Sequence, residues 1–373
     1  MGLRRREVLR MGGAALSIAA LARVSGPFAG RTGAALAAPE PTPADDETAA
    51  ALRELIVRRA IPSTNPWVLM HVVLAFGRDV KQGSTPLLDD VIAGNVKQST
   101  IDGVRYDYFE RKVEAHPNHF VQILQATEVP YDRVFQSPIG KLTRRDLVAG
   151  ATGLFDPQAN DDEQSWTISA FTADFPPDHS RFTTARKVQV DVADLVEAHC
   201  RDTEAAYADT FAAMQGTKPY RRGVLQTKAC NGTHLVYGLI DALRAGYRGH
   251  DLRPRVEKII DATLFRVAAE PALIDASLAQ RTDPLVRLNA DAAKFTFLGH
   301  VLEDLGYAVR RGVLTLDAKQ RATIDKGREM LSGIVERLTG EYDLDGLSVA
   351  VPEAYKLILG DSCHALRGWR FWL

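Results

Sequence analysis

Six positions concentrate the chemistry that this sequence can offer. They are His71, His119, Trp166, His234, His300 and His364, each inside a short segment where a helix breaker leads into an apolar run. The segments read Pro66-Trp67-Val68-Leu69-Met70-His71, Pro117-Asn118-His119-Phe120-Val121, Ser165-Trp166-Thr167-Ile168-Ser169, Asn231-Gly232-Thr233-His234-Leu235, Phe297-Leu298-Gly299-His300-Val301 and Ser362-Cys363-His364-Ala365-Leu366. Five imidazoles brought to one place can ligate a metal or move protons. Taken singly, each histidine reads as well as a helix cap or a partner for nearby backbone. Their shared position argues for a common cavity, which these six residues are expected to line.

Thiols and a carboxylate sharpen the expectation. Near the C-terminus, Gly360-Asp361-Ser362-Cys363-His364 puts three ligand types within four residues. Thiolate with imidazole is a familiar zinc combination, and copper takes the same soft donors. One divalent metal, zinc or copper, is therefore expected at Asp361, Cys363 and His364, with His71 or His300 reaching in from a neighbouring helix. On an ideal helix Asp361 and His364 share a face while Cys363 points about 100° away, so two of the three are expected to ligate together. Cys230 and His234, spaced i, i+4, are the alternative location. His116-Pro117-Asn118-His119 has H-x-x-H spacing, but the proline makes His116 a residue ahead of the helix. The cluster Asn160-Asp161-Asp162-Glu163-Gln164 reads as helix capping, with a general acid as the other option.

These residues need elements to hold them. The intervals between the six markers are 48, 47, 68, 66 and 64 residues, room for one further helix each. Arg255 to Val267 and Ala318 to Leu338 are such helices, with apolar residues at i, i+3, i+4 and i+7. Near-uniformly apolar stretches such as Leu235 to Leu243 suit an inner position and amphipathic ones an outer layer. Strand signal is confined to Lys187 to Val192, which reads as easily as a loop. The periodicity predicts an all-α fold of about six helical hairpins, inner and outer, with inner helices beginning near Trp67, Asn118, Ser165, Gly232, Phe297 and Ser362.

At this level the chain resembles the α/α-toroid superfamily, which includes protein prenyltransferase β-subunits, terpene cyclases and (α/α)6 glycan-cleaving enzymes. The resemblance covers residues 47–373 and rests on periodicity and short motifs. It implies a barrel of inner and outer helix rings. The Asp361-x-Cys363 step is similar to the zinc-binding step of the prenyltransferases, whose third protein ligand is a His on a later inner helix. No inner helix follows Cys363, so His71 on the first hairpin, or His364 itself, stands in for it.

The N-terminus has its own logic. Arg4-Arg5-Arg6-Glu7-Val8-Leu9-Arg10, an apolar run from Met11 to Ala22 and small residues ending Ala35-Leu36-Ala37 resemble a twin-arginine signal peptide over residues 1–37. Residues 38–46, rich in Ala, Pro and acid, read as a disordered linker. The expectation is transport by the twin-arginine translocase to the periplasm or exterior, with no membrane span in the mature chain. The first 37 residues hold six arginines and one Glu, so the mature chain is near −6, which argues against nucleic acid. No phosphate loop, H-E-x-x-H or G-x-S-x-G occurs, so no nucleotide cofactor is expected. Three cysteines, Cys200, Cys230 and Cys363, cannot make a disulfide framework, and a bond between any two stays open.

The sequence therefore predicts an exported toroid whose Cys, His and Asp residues bind a divalent metal, as a metal-dependent enzyme or a binding protein. A glycan lyase or hydrolase of the (α/α)6 type is a second reading. A non-catalytic scaffold with structural histidines is the third. The ligand is a small molecule, peptide or glycan that the sequence does not name, and no catalytic residue is assigned.

Overall fold

The computed structural model describes residues 46–158, 164–278 and 283–373. The segment expected to be a signal peptide, nearly all of the expected linker, and the acidic residues 160–163 lie outside the described residues. The fold is predominantly helical, with four two-stranded antiparallel sheets as minor decoration.

Among the described residues, twelve helices of eight or more residues organise it. They are α1 (Glu47–Leu55), α2 (Pro66–Phe76), α3 (Leu87–Asn95), α4 (His119–Ala126), α5 (Arg144–Gly153), α6 (Gln164–Thr172), α7 (Val192–Ala206), α8 (His234–Arg244), α9 (Leu252–Leu278), α10 (Pro284–Arg310), α11 (Ala318–Gly340) and α12 (Pro352–Phe371). Their starts follow from capping chemistry, which satisfies N–H groups that the helix itself leaves open. Asn65 Oδ1 accepts from the amides of Trp67 and Val68 ahead of Pro66. Thr143 with Asp146 and Asp317 with Gln320 form reciprocal capping boxes on α5 and α11.

Even- and odd-numbered helices differ in burial. Every residue of α2 from Trp67 to Leu74, and of α8 from His234 to Leu243, is buried, whereas α11 buries only one stripe. The even-numbered helices contact one another in chain order, α2 with α4, α4 with α6, α6 with α8, α8 with α10, α10 with α12, and α12 returns to α2. Each odd-numbered helix packs against the even-numbered helix that precedes it, α1 packing against α12.

Two of the expected helix starts are corrected. The helix carrying His300 begins at Pro284, not near Phe297, because Asp283 Oδ1 accepts from the Leu285 amide and the proline supplies the first-turn φ. The helix carrying His364 begins at Pro352, not near Ser362, and Ser362 instead bonds back to the Ile358 carbonyl in mid-helix. His300 and His364 therefore sit well inside their helices.

The second correction concerns strands. β1 (Lys81–Gln82) pairs with β2 (Thr85–Pro86), β3 (Val96–Ile101) with β4 (Val104–Phe109), and β5 (Val134–Ser137) with β6 (Gly140–Thr143), all outside the single segment expected to be extended. Only β8 (Gln189–Asp191), paired with β7 (Arg181–Thr183), falls within it. The turn of β3–β4 is Asp102-Gly103, both with positive φ, which is the chemistry a tight hairpin requires.

Candidate metal centre

The six marker residues converge. Imidazole centroids lie 5.0 Å apart for His71 and His119, 4.8 Å for His71 and His364, 4.1 Å for His300 and His364, 4.5 Å for His234 and His300, and 5.3 Å for His234 and His364. Trp166 closes the circuit, 4.6 Å from His234 and 5.6 Å from His119. A sixth imidazole joins them: His116 stacks on Trp166 at 3.8 Å with planes 3° apart. Its H-x-x-H spacing to His119 was the signal for it.

Such closeness depends on small residues where helices cross. A Cβ on Gly368 would fall 2.6 Å from the backbone nitrogen of Glu303, and one on Gly238 would fall 2.7 Å from the carbonyl oxygen of Ser165. Glycine thus lets α10 meet α12 and α6 meet α8 backbone to backbone.

Hydrogen bonds set the tautomers. His71 Nδ1–H donates to the Trp67 carbonyl at 2.6 Å and His300 Nδ1–H to the Thr296 carbonyl at 2.6 Å. His364 Nδ1–H donates to the Glu303 carboxylate, whose other oxygen accepts from Arg367. Holding Nδ1 in this way leaves Nε2 with its lone pair for a ligand. His300 Nε2 is buried and has no hydrogen-bond partner among the described residues.

Burial holds all five imidazoles in the neutral form. It drives His71 down to about 3, and His119, His234 and His364 well below the usual histidine range, with neighbouring imidazoles adding to the effect. His300 is lowered for the same first reason. Asp361 is pushed up to about 7 by burial. Its Oδ2 accepts from Thr296 Oγ1 at 2.5 Å, and its Oδ1 lies 3.9 Å from His300 Nε2.

The thiols take separate places, with no disulfide between them. Cys363 is buried, its Sγ turned back on the Leu359 carbonyl at 3.5 Å and its ionisation pushed well up by burial. Cys200 lies in the core. Cys230 is half-buried, ahead of α8, in a turn that packs against both α8 and α10. Its ligand atom and those of His234 and His300 all lie within 4.8 Å of one another.

These three residues could hold a metal ion. Tetrahedral bonds of about 2.0–2.3 Å put pairs of ligand atoms about 3.3–3.8 Å apart around one ion, so a contraction of up to about 1.5 Å is needed. Of the residues expected to ligate, the group contains the alternative pair Cys230 and His234 and the cross-helix His300. Asp361 and His364 lie beside His300 and His71 lies beside His364, but neither these three nor Cys363 belongs to the group. Glu303 and Arg367 were not anticipated, although Glu303 stands three residues after His300 and so on its face.

No helix among the described residues is long and apolar enough to cross a membrane. Comparison with family models, with curated proteins and with solved structures gives no match.

Proposed function

We propose that this protein is an exported α/α toroid built to bind one divalent metal at Cys230, His234 and His300, and that it works as a metal-dependent enzyme or binding protein. The observation that carries the reading is the buried Nε2 of His300, without a hydrogen-bond partner among the described residues, on a ring grouped with the Cys230 thiol and the neutral His234 imidazole. A buried nitrogen lone pair without a donor is a costly arrangement unless something occupies it.

Zinc or copper fits this donor set. One sulfur and two imidazole nitrogens are soft to borderline ligands, and burial keeps His234 and His300 free of the second ring proton that would compete, while the thiol would give up its proton on binding. Three protein ligands leave a position open, as in zinc sites that do chemistry, where the ion activates water or holds a substrate. Asp361 and His364 lie beside His300, and Glu303 orients the His364 ring. The closed cycle of contacts through the six even-numbered helices, with an odd-numbered helix packed against each, supports the toroid.

Metal analysis of the full chain and two variants tests the proposal. Unaltered protein and Cys363→Ser should carry about one equivalent of zinc or copper, and Cys230→Ser should lose most of it. Loss in Cys363→Ser with retention in Cys230→Ser would move the site to the C-terminal cluster. No metal in any of the three would leave the scaffold reading.

A further inference from the structure

The turn that presents Cys230 is conformationally expensive. Cys230, Asn231 and Gly232 have φ values of 48°, 57° and 76°, three consecutive residues in the left-handed region. Only glycine adopts that region without penalty, so the surrounding structure must hold the other two there.

What holds them is a charged cluster in a part of the core where charge is rare. Arg266 on α9 is fully buried. Its Nη2 donates to the Asn231 carbonyl at 2.7 Å, its Nη1 to Tyr207 Oη at 3.2 Å and its Nε to Tyr220 Oη at 3.2 Å. Glu270, one turn on, lies 3.5 Å from Arg266 and is in close contact with Arg222 and with Tyr220 Oη. Arg222 also donates to the Asn231 side chain. The guanidinium lies 4.8 Å from the centroid of the Phe297 ring, one turn before His300 on α10. One side chain thus touches both the turn that carries the thiol and the helix that carries an imidazole.

We infer that Arg266, oriented by Glu270, is a positioning residue for the metal centre, locking the Cys230–Gly232 turn so that Sγ faces His234 and His300. An apolar side chain could fill the same volume but could not donate to the Asn231 carbonyl. The planar guanidinium spreads several donors in fixed directions, which a lysine ammonium does not reproduce. This inference rests on the metal reading above and deepens it.

Titration of the full chain with Co(II) tests it, read by the thiolate-to-cobalt charge-transfer band and by bound cobalt. Unaltered protein should bind one equivalent with the band present. Arg266→Lys should weaken binding about 10–100-fold, the usual cost of losing a supporting residue around a metal, and lower the band per bound cobalt. Arg222→Lys, at the partly exposed rim, should act in the same direction more weakly, and it carries the test if Arg266→Lys does not fold. Melting temperatures taken without metal separate general destabilisation from the spectroscopic change. If unaltered protein shows the band and both variants match it in affinity and intensity, the positioning role is overturned and the metal reading stands. If unaltered protein takes up no cobalt, the metal reading falls and this inference with it. Cobalt bound without the band removes Cys230 as a ligand and overturns the positioning role.

Discussion

At the scale of single residues, the histidines show how burial selects a protonation state. His199, outside the cluster, is the cleanest case: its Nε2–H donates to the Leu235 carbonyl at 2.9 Å, and burial pushes it down from 6.5 to about 4. Between those values the unfolded chain binds a proton that the folded chain does not, so stability is lost as pH falls through that window. His71 acts in the same direction down to about 3. Glu114 runs the opposite way. Burial raises it to about 8 although its oxygens accept from the amides of Asn118 and Phe120, so its contribution is full below about 4.5 and is lost as pH rises through 8. Replacing His199 by Gln, which retains a donor, should remove one proton from the acid limb. The slope between pH 6.5 and 4 should then flatten by about 1.4 kcal/mol per pH unit. Denaturant unfolding of metal-free protein at a series of pH values checks this, and an unchanged slope would show that His199 titrates alike in both states.

At the scale of elements, crossing distance and capping decide where chemistry can be placed. The α10–α12 contact brings His300 and His364 within 4.1 Å and depends on Gly368, whose added Cβ would meet Glu303 backbone rather than a movable side chain. Gly368→Ala should therefore cost about 1–3 kcal/mol by overpacking and weaken metal binding as well. Gly333→Ala, where the nearest atom is the far end of Arg337 at 3.6 Å, is the control and should change little. Equal stability of the two variants would reject the role of close approach. The helices were legible from apolar periodicity. The starts of α10 and α12 were not, because Asp283-Pro284 and Pro352 mark them more quietly than the glycine-containing segments nearer the histidines. The β3–β4 hairpin is marked in the sequence only by Asp102-Gly103, because its strands are partly exposed and carry little apolar alternation.

At the scale of the whole molecule, the first and last helices meet. Trp369 Nε1 donates to Asp46 at 2.9 Å and Trp372 Nε1 to the Leu302 carbonyl at 2.8 Å, so the aromatic tail packs α12 against its neighbours, as its composition implies. A centre assembled from residues as distant as Cys230 and His300 exists only after most of the chain has folded. Transport of an already folded chain is what the twin-arginine route provides, and metal could then be acquired before transport. Replacing Arg5 and Arg6 by Lys should leave uncleaved precursor in the cytoplasm, whereas the unaltered chain should be cut after Ala37. Fractionation with N-terminal sequencing reads both, and a mature protein that begins at Met1 would reject the export reading.

The sequence by itself determined the helical class, the alternation of buried and amphipathic helices, and the five histidines and one tryptophan that share a position in that alternation. All of these are local or periodic properties, set by side-chain polarity at intervals of three to four residues and by breakers between runs. Which residues come within ligand distance was decided by tertiary structure. Cys363 has the more suggestive neighbours along the chain, yet mid-helix geometry turns its sulfur onto its own backbone. Cys230 sits beside Asn-Gly in a stretch that reads as a loop, and it is the long-range clamp of Arg266 on that loop, together with the glycine-mediated approach of the helices, that brings it to His234 and His300. Spacing along a chain fixes direction only within one element, and the distance between elements depends on contacts that no short window of sequence contains.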